Sequence, residues 1–526
     1  MNGRLGKGPL MGKAFFSWVL LIVSWAALPG LCLDLTATGH DSRIDLTWDG
    51  GRAGYHVYRS SKADGPFERL TAKPWKPTVY SDFLGANEKT YYYHITTVDR
   101  QEEESGRSKV VSARSFAMTD EELLTSVQQA TLRFFWEYAH PVSGLARERL
   151  GSRDTCTSGG TGFGMMAIVV GVERGFIERQ DAAAHLLKMV RFLETRAERY
   201  HGVWSHWING RTGKTIPFSK YDDGGDLVET SFLIQGMLTV RQYFDGSDAT
   251  ERELRETITQ LWKEVEWDWH LREPDSKELY WHWSPRYGWK MNHAIGGHFN
   301  ECMITYLLAI ASPTHGIDPA CYHEGWIGGD GSKYANGNSY YGHKQWVGWP
   351  KGGPLFFTHY SFLGFDPRGK RDQFCNYFEN SRNISLINRA YCAANPGRHK
   401  GYSKLCWGLT ASDTPGGYTA HEPRRDNGTI TPTAALSAMP YVPAESMATL
   451  RHLYHVYGKR LWGPFGFKDA FNLDKDWFAK SYLAIDQGPI VVMIENYRTG
   501  LCWKLFMSNP EIGPMLEKIG WQTEPD

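Results

Sequence analysis

The feature that most constrains the fold of this chain is a double glycine that recurs ahead of segments rich in small and apolar residues. The pairs begin at Gly159, Gly224, Gly296 and Gly416. The segment SGGTGFGMMAIVVGVERG is typical, because its side chains suit burial on all sides, whereas charged segments between the repeats are amphipathic. A repeated pair of one buried helix and one surface helix predicts a closed helical toroid.

Residues 118–526 provide room for six such helix pairs of about 68 residues each. We therefore expect a mainly α domain, an (α/α)6 barrel with the Gly-rich loops lining one mouth. An open helical solenoid is the alternative. The first helix should begin after Thr119, which can form a capping box with Glu122. The charged segments 181–200 and 249–269 should be outer helices.

Residues 34–116 have a different pattern, with the alternation typical of β-strands. The runs RIDLTWDG, AGYHVYRSS and KTYYYHITTVD are separated by the turn-forming stretches DGG, ADGPF and GANEK. This succession predicts a small sandwich and resembles a fibronectin type III domain over its whole length. Trp48 and the run Tyr91–Tyr93 would fill its core. This region offers no plausible pair of catalytic acids, so we expect a spacer or docking module that is dispensable for activity.

The first 33 residues predict a signal peptide. Three basic residues precede an apolar stretch that is too short for a comfortable membrane span. Cys32 raises the alternative of a lipoprotein anchor, but Leu31 is a poor match to the small residue that such a site prefers. No later segment is apolar enough to cross a bilayer, so we expect a secreted or periplasmic protein.

Composition restricts the partners. The 58 basic and 58 acidic residues balance, which argues against capture of nucleic acid or of an anionic membrane. The chain contains 21 Trp, 27 Tyr and 25 Phe residues, many of them in polar segments. Aromatic faces in wet clefts suit sugars; a large aromatic core is the alternative. We expect a monomer.

The eight cysteines show no metal-binding spacing, and no other metal motif is present. We therefore expect no metal and no cofactor. Cys375, Cys392 and Cys406 are close enough in sequence for a local disulfide in an oxidising compartment.

The stretch YDDGGDLVETSFLIQGML carries four acids, among them Asp222, Asp226 and Glu229. Asp226 and Glu229 could simply cap a helix. That alternative does not explain Asp222, nor the recurrence of an acid, Glu301, ahead of the next apolar helix. In a toroid these helix starts converge on one cavity, where two carboxylates can act as acid and base in glycoside hydrolysis. Their mutual repulsion would raise one pKa.

Four motifs together resemble the glucoamylase-like endo-β-1,2-glucanases of glycoside hydrolase family 144. They are YDDGGDLVETSFLIQGML, NHAIGGHFNECMITYLLAIASPTH, GGPLFFTHYSFLGFDPRG and AIDQGPIVVMIENYRTGLCWKLFM, spread over most of residues 118–520. The resemblance implies an (α/α)6 barrel, β-1,2-glucan as substrate, inverting endo-hydrolysis and no cofactor. A similar domain in cyclic β-1,2-glucan synthases transfers chains, so transglycosylation is one alternative. A non-catalytic glucan-binding protein is another.

Carried over to this chain, the resemblance implies that the catalytic acids lie among Asp222, Asp226, Glu229, Glu301 and Asp486. We expect Glu301 to be the general acid and Glu229, with Asp226 or Asp222, to position or activate water. Asp486 is equally compatible with a turn. Possible substrate-binding residues in the Gly- and aromatic-rich loops are Trp283, His298, His359, Tyr360, Glu422 and Arg424.

Overall fold

The structure, a computed structural model, describes residues 33–50 and 54–523. The predicted signal peptide, residues 1–33, lies outside the described residues except for Leu33. Between them, the described ranges contain no helix that is long and apolar enough to span a membrane.

The β-rich region lies first in the chain. Its strands are β1 (Thr36–His40), β2 (Arg43–Thr47), β3 (Gly54–Ser60), β4 (Glu68–Arg69), β5 (Val79–Phe83), β6 (Thr90–Val98), β7 (Glu104–Arg107) and β8 (Val111–Arg114). One antiparallel sheet has the order β1-β2-β5, and the other has the order β4-β3-β6-β7 with β8 also paired to β6. Trp48 and Tyr93 are buried in a core of their own, and Tyr91 packs at its edge, as the sequence predicts.

Helices dominate the rest of the chain. They are α1 (Asp120–Trp136), α2 (Ser158–Glu173), α3 (Arg179–Thr195), α4 (Leu227–Tyr243), α5 (Ala249–Lys263), α6 (Met303–Ala311), α7 (Tyr377–Ala394), α8 (Pro432–Leu436), α9 (Pro443–Leu461), α10 (Ala484–Arg498), α11 (Leu501–Met507) and α12 (Ile512–Lys518). The predicted capping box at the start of α1 is present, with Thr119 and Glu122 hydrogen-bonded to each other's backbone.

Short strands lie in the connections between helices and after the last helix. They are β9 (Thr155–Thr157), β10 (Arg199–Tyr200), β11 (Val203–Trp204), β12 (Trp207–Asn209), β13 (Thr215–Ile216), β14 (Gly225–Asp226), β15 (Leu279–Tyr280), β16 (His282–Trp283), β17 (Ala294–Ile295), β18 (Ser339–Tyr340), β19 (His343–Lys344), β20 (Lys370–Arg371), β21 (Ala411–Thr414), β22 (Gly417–Ala420), β23 (Thr429–Ile430), β24 (Trp462–Gly463), β25 (Gly466–Phe467), β26 (Phe471–Asn472), β27 (Trp477–Phe478) and β28 (Gln522–Thr523).

The helices divide into buried and half-buried members. Helices α2, α4 and α10 are buried along nearly their whole length. Helices α3 and α5 each have one buried and one exposed face, as predicted for the charged segments. Helix α2 packs against α4 and α10, α4 also packs against α6, and α3 packs against α5. The alternation of inner and outer helices inferred from the sequence is therefore present in this part of the chain.

Glycines let α2 and α4 approach until their backbones touch. A Cβ atom added at Gly162 would lie 2.2 Å from the carbonyl oxygen of Phe232. A Cβ added at Gly236 would lie 2.1 Å from the carbonyl oxygen of Gly162. Because real Cβ atoms do not come so close to backbone, only glycine is compatible with this crossing.

Two expectations about local structure were wrong. The glycine pair at Gly416 does not start a helix; it lies in the β21–β22 turn, where Gly417 has a φ of +115°. Cys375, Cys392 and Cys406 form no disulfide. Each is a free thiol that packs in the apolar core as a small hydrophobic side chain.

Arg43 of β2 joins the β-rich region to the helices. Its guanidinium is fully buried and donates hydrogen bonds to Ser126 of α1 at 2.9 Å and to the Tyr454 hydroxyl of α9 at 3.0 Å. It also pairs with Asp45 at 2.9 Å and lies 4.4 Å from the centre of the Trp462 ring. A buried charge with this many partners fixes the two regions against each other.

We predict that Gly162→Ala lowers the free energy of unfolding by about 3 kcal/mol or more, since its methyl group overlaps the backbone of α4. Thermal denaturation measures this. The control is Gly513→Ala in α12, where the added Cβ meets nothing within 4 Å and helix propensity favours alanine by about 0.5–1 kcal/mol. Equal melting temperatures for the two variants would contradict the proposed backbone contact.

Candidate active site

A cavity of about 330 Å³ opens where the segments leading into α2, α4, α6 and α10 meet. Three acids, Glu148, Glu229 and Glu301, line it together with many aromatic rings. The lining residues are Glu148, Arg149, Thr157, His206, Trp207, Phe218, Glu229, Phe232, Trp281, Glu301, Phe356, Tyr360, Tyr418, Leu483 and Ile485. The prediction that the helix starts converge on one cavity with paired acids therefore agrees with this placement of Glu229 and Glu301.

Asp226 caps α4 and also organises the polar side of the cavity. One carboxylate oxygen accepts the backbone N–H of Glu229 at 2.9 Å and the indole N–H of Trp281 at 2.8 Å. The other lies 3.1 Å from Nδ1 of His206. Burial opposes ionisation of Asp226, but the hydrogen bond from His206 and the charges of His282 and His206 outweigh it, so its pKa is lowered. Capping and electrostatic roles coincide in one residue.

Asp222 shares the two histidines with Asp226. Its Oδ2 lies 3.4 Å from Nε2 of His282 and 3.7 Å from Nδ1 of His206. Burial and the charge of Asp226 raise the pKa of Asp222 to about 8. Burial lowers the pKa of His206, but the negative charges of Glu229, Asp226 and Asp222 outweigh it and raise that pKa to about 9. His206 therefore carries the positive charge that balances this acidic cluster at neutral pH.

Glu229 is held by the start of the neighbouring helix α2. Its Oε2 accepts the backbone N–H of Gly159 at 3.0 Å and the hydroxyl of Thr157 at 3.3 Å. A Cβ at Gly159 would lie 2.5 Å from that oxygen, so the glycine makes room for the carboxylate. Burial raises the pKa of Glu229, and the charge of His206 works against this. The side chain of Glu229 thus serves the cavity, not the cap of its own helix.

Glu301 lies in the turn just before α6. Its backbone carbonyl accepts the hydroxyl of Ser361, while its Oε2 is buried without a hydrogen-bond partner within the part of the chain that the structure describes. Burial, with a contribution from the charge of Glu229, raises the pKa of Glu301 to about 7. A carboxyl that keeps its proton near neutral pH and has one oxygen without a protein partner can donate that proton to a bound molecule.

Asp486 does not lie in a turn; it is buried in the first turn of α10. Burial and the neighbouring Asp469 raise its pKa well above the usual range, and burial together with Asp413 raises the pKa of Asp469 to about 7. Two close carboxyls that cannot both ionise share a proton. Asp486 does not line the cavity directly, although the preceding residue, Ile485, does.

The predicted substrate-binding residues separate into several places. Tyr360 lines the cavity. His359 is buried, and burial lowers its pKa to about 3. Trp283 packs against the rings of Tyr200 and His201.

Another group surrounds Trp349. His298 lies edge-on to its ring, and Arg424, paired with Glu422 at 3.1 Å, lies 5.1 Å from its centre. Neither this group nor His359 and Trp283 is among the residues that line the cavity.

Sequence reasoning missed several residues of the site. His206, Trp281 and His282 come from short strands and loops that carry no periodic pattern. Phe218 on a loop and Tyr418 on the short strand β22 are exposed aromatic residues, and isolated rings of this kind are indistinguishable in sequence from other surface residues. The pairing of β14 with β16, which sets His282 opposite Asp226, is a long-range contact that no local motif announces.

His206, Asp222 and Asp226 place potential ligand atoms within 4.8 Å of one another, so this cluster could hold a metal ion. The raised pKa values of His206 and Asp222 indicate that protons can supply the same charge balance. Independence from metal stays a prediction.

A protonated carboxyl and a second carboxylate facing a cavity rich in aromatic rings are the groups that glycoside hydrolysis requires. The chain matches the protein family described as "Putative glucoamylase" over residues 292–510. It is also 47% identical, over 506 residues, to an exo β-1,2-glucooligosaccharide sophorohydrolase (non-reducing end) of Parabacteroides distasonis, a match that covers 92% of this chain and 70% of that protein.

Solved structures agree with this relationship. A β-1,2-glucanase from Parabacteroides distasonis superposes with a TM-score of 0.89 at 46% identity, covering 94% of this chain and 73% of that one. An endo-β-1,2-glucanase from Chitinophaga pinensis, in complex with sophorotriose and glucose, superposes with a TM-score of 0.74 at 48% identity, covering 77% of this chain and 99% of that one. The protein belongs to the glucoamylase-like family of glycoside hydrolases, as its sequence motifs predict.

We predict that the stability of Glu301→Gln relative to wild type rises with pH. In wild type the unfolded carboxyl ionises near pH 4.5, whereas the folded one keeps its proton up to about pH 7. Wild type therefore loses stability as pH rises through this window, by on the order of 3 kcal/mol, while the amide does not titrate.

Melting temperatures of both proteins from pH 4 to 8 measure the difference. Glu324→Gln, at an exposed acid, is the control and should show no such trend. A Glu301→Gln difference that is constant with pH would contradict the raised pKa of Glu301.

Proposed function

We propose that this protein hydrolyses β-1,2-linked glucan by general acid–base catalysis at the cavity. The observation that carries the proposal is Glu301, a buried carboxyl with a free oxygen, lining the same cavity as Glu229. The names of the relatives supply the linkage. Transglycosylation and non-catalytic glucan binding are less well supported, since the relatives are named as hydrolases.

Glu301 acts as the general acid in this proposal. Its pKa of about 7 keeps the proton available near neutrality, and Oε2 gives it to the glycosidic oxygen as the bond to the anomeric carbon breaks. No hydrogen bond within the described residues has to be broken first.

Glu229 acts as the base that activates water. The N–H of Gly159 and the hydroxyl of Thr157 orient its carboxylate, and His206 favours its ionised form. Asp226, which is fully buried and occupied by Trp281, His206 and the N–H of Glu229, holds this arrangement in place. Asp222 sets the net charge of this arrangement by gaining or losing a proton. Asp486 supports the cavity wall at the neighbouring residue Ile485. Inversion of the anomeric carbon is the stereochemistry that we propose.

We further propose the architecture that the sequence indicates. The inner helices, closed by the contact of α10 with α2, would form an (α/α)6 barrel over residues 118–526. Residues 34–116 would form the fibronectin type III-like domain. We propose export by the signal peptide, and a monomeric state.

The mode of attack has two candidates. The family resemblance favours endo cleavage. Release of short products from a chain end is favoured by coverage, because the relative named as an exo enzyme is matched over 92% of this chain, whereas the Chitinophaga endo-glucanase is matched over 77%.

Cyclic β-1,2-glucan distinguishes the two modes, since it has no chain ends. We predict that an endo enzyme releases reducing sugar from cyclic and linear glucan at rates within a few-fold of each other. A linear substrate consumed with disaccharide as the product from the outset, and a cyclic substrate left intact, would reject endo cleavage and establish the exo candidate.

We predict that Glu301→Gln lowers the turnover of linear glucan by roughly 10²–10⁴-fold, because it removes the transferable proton and keeps the side-chain shape. A substrate with a leaving group that needs no proton should be affected far less. Initial rates on both substrates measure this, with Glu324→Gln as the control. Equal losses on the two substrates would reject the role of general acid.

A further inference from the structure

The hairpin β21–β22 places one exposed aromatic ring beside the cavity. Its first strand is buried at Ala411 and Ser412, whereas its second strand is exposed along its length. Tyr418 on the second strand is 50% exposed and nevertheless lines the cavity. Its phenol oxygen lies deeper than the exposed part of the ring, since burial, followed by the charges of Asp486, Asp469 and Glu229, raises the pKa of Tyr418.

Three other segments fix the first strand of this hairpin at Asp413, the residue that pairs with Tyr418. The carboxylate of Asp413 accepts hydrogen bonds from Nη1 of Arg149 at 2.9 and 3.1 Å and from the hydroxyl of Ser481 at 2.6 Å. The backbone N–H of Asp413 donates to the carboxylate of Asp469 at 2.7 Å. Arg149 is held in turn by Glu148 at 2.8 Å. Charge-assisted bonds to a half-buried carboxylate make the hairpin part of the scaffold.

The segments that anchor the hairpin also line the cavity. Glu148, Arg149, Leu483 and Ile485 form the lining next to Tyr418. A second part of the lining carries another exposed ring, Phe218, which stacks on His206 at 4.2 Å and is 49% exposed. The cavity therefore has two half-exposed aromatic rings on separate segments, Tyr418 on a hairpin strand and Phe218 on a loop.

The exposed half of an aromatic ring on a rigid strand stays in contact with water, so covering it with an apolar surface is favourable. Its exposed face suits the C–H face of a sugar, and its hydroxyl can bond to sugar hydroxyls. Because the hairpin is pinned, a sugar bound there meets a fixed wall and little ordering entropy is lost on binding.

We propose that the pinned hairpin is an end wall of the substrate site and that Tyr418 contacts the glucosyl unit farthest from the bond that is cleaved on that side. Tyr418 would then determine how many glucosyl units fit between the cleaved bond and the wall, and thus the length of the released product. This inference rests on the proposed hydrolysis of β-1,2-glucan and on its chain-end mode, because a site closed by a wall does not hold a chain that continues past it.

The test compares wild type, Tyr418→Ala, Tyr418→Phe and the control Tyr497→Ala. Tyr497 is 43% exposed near the end of α10 and does not line the cavity. Initial rates on linear β-1,2-glucan give KM and kcat, chromatography of early products gives their lengths, and melting temperatures report folding.

Tyr418→Ala should raise KM by about 3–10-fold, in line with the loss of one ring contact, and should broaden the range of product lengths, with kcat changed less than KM. Tyr418→Phe should keep the wild-type product lengths, and Tyr497→Ala should match wild type throughout. A folded Tyr418→Ala protein with wild-type product lengths and an unchanged KM would overturn the inference. If wild type itself releases no reducing sugar from the glucan, the proposed function fails, and the inference fails with it.

Discussion

The contact between the backbones of α2 and α4 is the constraint on which the site depends. With glycine at positions 162 and 236 the two helices cross without side chains between them. The crossing brings the first turn of α2, whose N–H groups have no partner within their own helix, against the third residue of α4. The carboxylate of Glu229 then satisfies the N–H of Gly159. A buried acid and a helix start that would each be unfavourable alone stabilise each other.

Burial and hydrogen bonding give chemically similar acids of the site different pKa values. Asp226 is surrounded by donors and keeps a lowered pKa, whereas Glu301 has few donors and a pKa of about 7. One positive group, His206, lies among three carboxyls and cannot neutralise all of them. Some must therefore keep protons. Such a division into ionised and protonated carboxyls is what a reaction with one acid and one base needs.

Sequence predicts those parts of the fold that local physics determines. The capping box of α1, the inner character of α2 and α4, and the convergence of Glu229 and Glu301 follow from helix periodicity and from the chemistry of helix starts. The partners of these acids do not, because His206 and Trp281 reach Asp226 through tertiary contacts between irregular loops.

The same limit explains the errors in the expected fold. A double glycine serves a helix start in one place and a hairpin turn at Gly416 in another. The two uses have the same residue pattern and differ only in what packs around them. The sugar contacts expected from single His and Trp residues lie away from the cavity, because residue type alone does not specify what packs around a side chain. His359 is buried in the interior, and Trp283 packs against neighbouring rings.

The β-rich region is coupled to the helices without taking part in the cavity. Arg43 is buried between α1 and α9. Phe83 packs in the space left by the missing side chain of Gly458. Removing the β-rich region would therefore expose the rings of Tyr454 and Trp462, which now cover the guanidinium of Arg43. None of the described residues from 33 to 116 lines the cavity. The region therefore supplies no residue of the cavity but supports the helices behind it. Loss of the region should first be felt at α1, which packs against α10, and would reach the site through the position of Asp486 on that helix. That the module is dispensable for chemistry stays a prediction, and it is supported by the absence of cavity residues among the described residues of the module. Its contacts with α1 and α9 nevertheless make it part of the folded structure.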